Sequence, residues 1–448
     1  MRDVDTGAVE TGAFDAHNPP ARALIDDCVH CGFCLPACPT YGLWGEEMDS
    51  PRGRIYLMKM AAEGDISIDR TFVGHIDACL GCMACVTACP SGVKYDRLIE
   101  AVRPQVERNF HRGFGDRVFR AAVFQMFPHP GRMRVAALVG LLYQRTGIQA
   151  LLRLSRLVRR LPARLAALEQ LLPPVTWAAI SATTPELTPA TGTRRRRVGL
   201  LTGCVQRVFF GDVNAATVRV LAAEGCEVIA PRTQGCCGAL QLHSGLEDDA
   251  ASRARANIDS FEAENLDAVV VNAAGCGSAM KDYGRLLSGD PAYAERAFAF
   301  GSKVRDVCEV LAELEPVAPR HAIHARVAYH EACHLSHAQG VRREPRMVLA
   351  AIPGLTVLEV PDGEICCGSA GIYNLVQPVA AAELGRRKAA AIFSLQPDLV
   401  ATGNPGCLLQ LRSHMPGPLP LVHPVQLVDA AIRGQANPNI KQITEVRP

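Results

Sequence analysis

Two cysteine runs constrain this chain more than any other feature. Cys28, Cys31, Cys34 and Cys38 precede Pro39, and Cys79, Cys82, Cys85 and Cys89 precede Pro90. Each run reads C-x2-C-x2-C-x3-C-P. Three thiolates spaced three residues apart on a tight loop can converge on one 4Fe–4S cubane, while the fourth, ahead of a proline, caps the neighbouring cluster. The spacing therefore assigns Cys28, Cys31, Cys34 and Cys89 to one cluster, and Cys79, Cys82, Cys85 and Cys38 to the other. Disulfides or paired zinc sites compete weakly with this reading, because the whole run is duplicated with its proline.

Composition narrows the class. At 448 residues the chain has room for two or three domains, and a net charge of +2 gives no steering toward nucleic acid. Its 18 cysteines would suit a secreted disulfide protein, but the first thirty residues are polar and acidic, with no apolar signal region. Cysteine clusters without a secretory signal favour metal ligation. The longest apolar stretch, Val135 to Tyr143, falls well short of the ~20 residues of a membrane span.

The expected fold is α+β and multi-domain. A flexible leader (1–20) precedes a helical, two-cluster ferredoxin-type module (21–100), in which Gly53 to Glu63 has helical apolar spacing. An arginine-rich helical arm and linker follow (101–197), with Arg153, Arg156, Arg159, Arg160 and Arg164 set among leucines and a linker from Pro173 to Arg197. The arm reads either as a solvated element packed on the core or as a basic docking surface for an anionic bilayer or partner. Two α/β, Rossmann-like copies complete the chain, at 198–320 and 321–435, before a tail at 436–448.

The duplication is visible in a second set of cysteines. Cys204, Cys236, Cys237 and Cys276 recur as Cys333, Cys366, Cys367 and Cys407, at offsets of 129, 130, 130 and 131 residues. Each sits just past an expected strand end, where ligands gather in open α/β sheets. Glycines beside them let backbone approach a bulky inorganic core. Four soft thiolates per copy suit an iron–sulfur or zinc centre. Cys226 and Cys308 have no counterparts and read as core residues. His330, His334 and His337 flank Cys333 at helix-like spacing, as hydrogen-bonding groups or, alternatively, as ligands or proton carriers. There is no G-x-G-x-x-G after a strand, no P-loop and no H-E-x-x-H, so nothing marks a flavin, nicotinamide or nucleotide site.

The strings CVHCGFCLPACPTYGLWGEEMDSPRGRIYLMK, CLGCMACVTACPSGVKYDRLIE, GCCGALQLHSG, YHEACHLSHAQGVRREPR and CCGSAGIYNLVQP resemble those of glycolate oxidase iron–sulfur subunits. The cysteine layout is shared with lactate-utilisation proteins, the anaerobic glycerol-3-phosphate dehydrogenase small subunit and heterodisulfide reductase. In the last, the repeat ends in C-x-x-C and supplies a fifth thiolate; here Ala279 and Gln410 occupy that position.

The resemblance implies an electron-transfer subunit, inactive alone and without catalytic residues or flavin of its own. It would hold two 4Fe–4S clusters, with one or two further clusters in the repeats. Its partners would be FAD-binding 2-hydroxy-acid dehydrogenase subunits that oxidise glycolate to glyoxylate, and a quinone or similar membrane acceptor. It would lie peripherally on the cytoplasmic face of the inner membrane, with no nucleic-acid partner. An L-lactate or glycerol-3-phosphate complex, or a thiol–disulfide reductase, is the alternative.

Overall fold

The computed structural model describes residues 12–155 and 157–435. Most of the expected leader (1–11), the tail (436–448) and Arg156 lie outside the described residues, as does the side chain of Arg159. The chain divides into two compact units. One comprises residues up to Arg117 together with Leu242–Leu246; the other comprises Val118–Gln241 and everything from Glu247 onward.

The first unit is helical: α1 (Pro39–Trp44), α2 (Pro51–Glu63), α3 (Arg70–Ala78), α4 (Ala84–Ala88) and α5 (Tyr95–Asn109). The sequence sets both ends of α2. The Ser50 side chain accepts from the Gly53 N–H, and Pro51 occupies the first turn, where a missing N–H costs nothing. Gly64 ends the helix in a left-handed conformation, its N–H reaching the Ala61 carbonyl while the Asp65 N–H reaches that of Met60. Ile55 and Met58 of α2 share one core with Phe72, Val73 and Ile76 of α3 and with Leu98, Ile99 and Val102 of α5. Each such buried side chain contributes about 1.5–3 kcal/mol relative to exposure.

Helix α6 (Phe114–Met126) starts in the first unit and continues into the second, which then carries α7 (Pro130–Arg145), α8 (Ile148–Leu154) and α9 (Ala163–Leu171). Met133, Ala137 and Leu141 of α7 pack with Val208, while Val123 packs with Ile372 and Leu375. The arm is thus docked on both repeats.

The first repeat carries β1 (Leu187–Thr188), β2 (Arg196–Leu200), α10 (Val205–Phe209), α11 (Gly211–Ala223), β3 (Cys226–Ile229), α12 (Glu247–Glu262), β4 (Ala268–Val271), α13 (Ala274–Lys281), β5 (Val304–Asp306) and α14 (Val307–Glu313). The second carries β6 (Ala325–Tyr329), α15 (Arg343–Ala350), β7 (Leu355–Glu359), α16 (Pro378–Ser394), β8 (Leu399–Ala401), α17 (Pro405–His414), β9 (Leu421–Val422) and α18 (Pro424–Ile432). The sheets run β1-β3-β2-β4-β5 and β7-β6-β8-β9. Every pairing is parallel except β1 with β3. Without β1 the two orders are identical, which parallel strands joined by helical crossovers permit. The stretch expected as linker is therefore partly folded: Leu187 and Thr188 pair with Ile229 and Val228, and β2 begins at Arg196.

The repeats share one core. Arg219 on α11 also grips Asp429 on α18 through two bonds of 2.9 and 2.6 Å. Cys226 and Cys308 lie in that core, as their lack of counterparts suggested.

Candidate metal centres

In the first unit the two cysteine runs form matching loops. Each needs two left-handed residues, His30 and Gly32 in the first, Gly81 and Met83 in the second. Such turns curl the backbone so that successive thiols face one point, and a non-glycine residue in this region is uncommon. The loops bring thiols to two cavities. One is lined by Cys28, Cys31, Cys34, Cys85 and Cys89. The other is lined by Cys38, Cys79, Cys82 and Cys85. The last cysteine of each run therefore faces the cavity of the other run.

The second cavity is the better shielded. Cys38, Cys79, Cys82 and Cys85 are buried, whereas Cys31 is exposed and Cys28, Cys34 and Cys89 are half-buried. Its polar surroundings are specific. Tyr95 donates its hydroxyl to Cys79 Sγ at 3.5 Å, and the Gly81 N–H lies 3.4 Å from the same sulfur. Thr40 Oγ1 is 3.2 Å from Cys38 Sγ. The buried Arg54 guanidinium bonds to the His75 carbonyl, Thr40 and Asp49. Arg103 donates to the Cys79 carbonyl at 2.6 Å and to the His243 carbonyl at 2.7 Å.

These groups govern charge. Burial alone would push the Cys79 thiol up, but the Arg54 and Arg103 charges and the Tyr95 hydroxyl bring it below its ordinary value. Burial raises Cys85 well above it, with the neighbouring thiols adding to the effect. Burial opposes the charge on Arg54, yet Cys79, Tyr95, Cys38 and Asp49 carry its pKa upward.

In the second unit each repeat gathers four thiols past its strand ends. Cys204 follows β2, Cys236 and Cys237 follow β3, and Cys276 lies in α13. Cys204 and Cys236 approach to 3.5 Å, and Cys237 contacts both Cys236 and Cys276. Contact with Cys204, then with Cys237, holds the Cys236 thiol well below its ordinary value. The second repeat repeats the chain of contacts: Cys333 and Cys366 lie 3.7 Å apart, and Cys367 contacts Cys366 and Cys407. Gly368 shows why glycine follows the pair: its φ is +88°, and a Cβ would sit 2.7 Å from the Ala381 carbonyl oxygen.

The supports of the two repeats differ. Asn257 on α12 donates to the Cys236 carbonyl at 2.9 Å and accepts the Gly235 N–H, and Tyr283 donates to the Cys237 carbonyl at 2.7 Å. In the second repeat a buried lysine, Lys388 on α16, donates to the Asp362 carbonyl. Burial lowers its pKa, against the pull of Cys367 and Cys366. Gln410, in the fifth-thiolate position, donates to the Ala381 carbonyl and accepts from Asn374; Ala279 is simply buried.

The three histidines separate. His334 and His337 lie in one helical turn (His334–Ala338), whereas His330 precedes it, directly after β6. His334 contacts Cys333, and His337 bonds to the Glu364 carbonyl and Arg342. The helix-like spacing expected of all three holds only for these two. A ring nitrogen of His330 and the sulfurs of Cys367 and Cys407 all lie within 4.8 Å of one another. Burial, then the nearby Lys388 charge, drives the His330 pKa down to about 3, so the ring is neutral.

A thiol-rich helical module followed by two α/β repeats, each with its own converging thiols, defines an iron–sulfur electron-transfer protein. The comparisons agree: residues 24–93 match the 4Fe-4S dicluster domain, and residues 198–281 and 327–412 match the cysteine-rich domain. Residues 115–172 match the linker region of the glycolate oxidase iron-sulfur subunit. The chain is 41% identical to the probable glycolate oxidase iron-sulfur subunit of Bacillus subtilis (strain 168), over 86% of this chain and 88% of the relative. It is 36% identical to the glycolate oxidase iron-sulfur subunit of Escherichia coli (strain K12), over 92% and 95%. Lactate utilization protein A of Oceanobacillus iheyensis is 29% identical over 49% of this chain and 89% of that protein. The chain belongs to the family of glycolate oxidase iron–sulfur subunits.

Proposed function

We propose that this chain carries electrons from a flavin-bearing partner that oxidises glycolate to glyoxylate, toward a quinone or similar membrane acceptor. The observation that carries the reading is the lining of the two cavities in the first unit, where Cys89 joins the first run and Cys38 the second. Cys28, Cys31, Cys34 and Cys89 would hold one 4Fe–4S cluster, and Cys79, Cys82, Cys85 and Cys38 the other. An all-thiolate donor set with N–H and O–H groups directed at sulfur fits such clusters. Bound there, they supply one-electron chemistry.

The chain's own residues do the rest. Arg54 and Arg103 offset negative charge at the buried cavity, Tyr95 and Gly81 donate to the Cys79 sulfur, and the apolar walls exclude water. Cys204, Cys236, Cys237 and Cys276, and their counterparts Cys333, Cys366, Cys367 and Cys407, would hold one or two further clusters. The glycolate assignment draws on the relatives, and the need for a flavin partner on the missing dinucleotide fingerprint.

The arm offers an attachment surface. Val135, Leu138, Val139 and Leu142 recur at one-face helical spacing and are exposed, as are Ile148, Leu151 and Leu154, the last at 84%. Arg132, Arg145, Arg153 and Arg160 are exposed among them. No single described helix is long and apolar enough to cross a membrane. Apolar side chains interleaved with cations suit the interface of an anionic bilayer.

The test is glycolate-dependent dye reduction. The isolated, flavin-free chain should give none, and activity should appear when flavin-bearing partner subunits are added. Turnover by the isolated chain would refute the proposal.

A further inference from the structure

The two repeats are equal in thiols and unequal in one nitrogen. His330 stands three residues before Cys333; the residue three before Cys204 is Leu201, an apolar side chain only 2% exposed. His330 is itself 1% exposed, and its Nδ1 has no hydrogen-bond partner. An unpaired polar atom at such depth costs about 1–3 kcal/mol and calls for a compensating partner. Ring nitrogen and two thiols come within 4.8 Å of one another, a spacing at which one metal site can engage all three. Among the described residues this is the one histidine–cysteine group so arranged. Backbone holds it in place: the His330 N–H donates to the Ala401 carbonyl at 2.9 Å, tying the loop after β6 to β8.

We propose that His330 is a fifth protein ligand of the second repeat's iron–sulfur centre, beside Cys333, Cys366, Cys367 and Cys407, whereas the first repeat's centre is held by thiolates alone. The proposal rests on the reading that the repeats hold such centres. Its chemical consequence is direct. In place of a thiolate, a neutral imidazole donates less charge to iron, and where histidine replaces cysteine the reduction potential of an iron–sulfur centre rises. Compared with a cysteine at the same position, His330 thereby holds the second repeat's centre at the higher potential.

The experiment uses the full-length chain isolated anaerobically with its iron. Pulsed electron paramagnetic resonance of the reduced protein, with natural-abundance and 15N-histidine samples, reads nitrogen bound to iron without any variant. A directly coordinated imidazole nitrogen, changed by the isotope and lost in His330→Ala, is the expected result. His330→Cys should move one midpoint potential downward and leave the ferredoxin-type signals untouched. Iron analysis of Cys366→Ser separates the two ideas. If that variant keeps all its iron, the reading of the repeats fails and the histidine proposal with it. If iron falls but the wild-type protein shows no coordinated histidine nitrogen, the proposal alone is overturned.

Discussion

Arg54 lies 3.2 Å from Asp49, and both are buried beside the sulfurs of Cys38 and Cys79. The pair places a fixed positive charge next to thiolates that burial would otherwise disfavour. Replacing Arg54 with methionine should lower the potential of the cluster assigned to Cys79, by on the order of 60 mV for each tenfold change in its redox equilibrium. It should also destabilise the fold by about 3–5 kcal/mol, because Asp49 loses its buried partner. Redox titration and urea denaturation read the two effects separately. An unmoved potential would mean that Arg54 only fills space.

Exchange of the fourth ligands gives a second prediction. Cys38→Ser should alter the cluster built on Cys79, Cys82 and Cys85 and spare the one built on its own run. Spectra showing damage confined to the Cys28 cluster would contradict the assignment.

Attachment through the arm gives a third. Binding to anionic vesicles should weaken with salt, since charges near such a surface are worth about 1 kcal/mol each and are screened over roughly 8 Å. It should also fall when Leu151 and Leu154 become aspartate, because the apolar contribution goes with them. Cosedimentation unchanged by both treatments would leave the arm a scaffold only.

Asp306 supplies a pH dependence. Burial raises its carboxyl from 3.8 to about 7, although the Cys308 N–H works against the rise. Between about pH 4 and 7 the folded chain therefore keeps a proton that the unfolded chain has released. This contribution is fully present on the acid side and is lost as pH rises through that window, by at most about 1.4 kcal/mol per unit. Asp306→Asn should flatten the slope of urea stability over this range; an unchanged slope would assign it elsewhere.

Much of this was legible in the sequence, and for a physical reason. Ligand spacing is a property of the loop that carries it, so two identical runs announce two identical loops. The three strands of each copy that lead to its cysteines followed from apolar runs ending there, but β5 did not. The helix expected over Gly53–Glu63 needed only its proline start at Pro51. Arg54 was illegible, because an arginine in an amphipathic helix reads as solvated until packing shows it buried. His330 was obscured by the regular spacing of three histidines, which suggested one helix where a loop intervenes. β1 and β9 are too short, at 2 residues each, to carry any alternation.

The bond between Arg219 and Asp429 has a consequence for how the repeats can diverge. Two identical subunits meeting at a symmetric interface must accept every substitution twice, once on each side. Joined in one chain, the halves keep the shared packing while each is edited alone. Leucine on one side and histidine on the other, at matching distances from matching cysteines, is a difference a symmetric pair could not hold. The tandem arrangement lets one architecture carry two unlike sets of side chains around matching thiols.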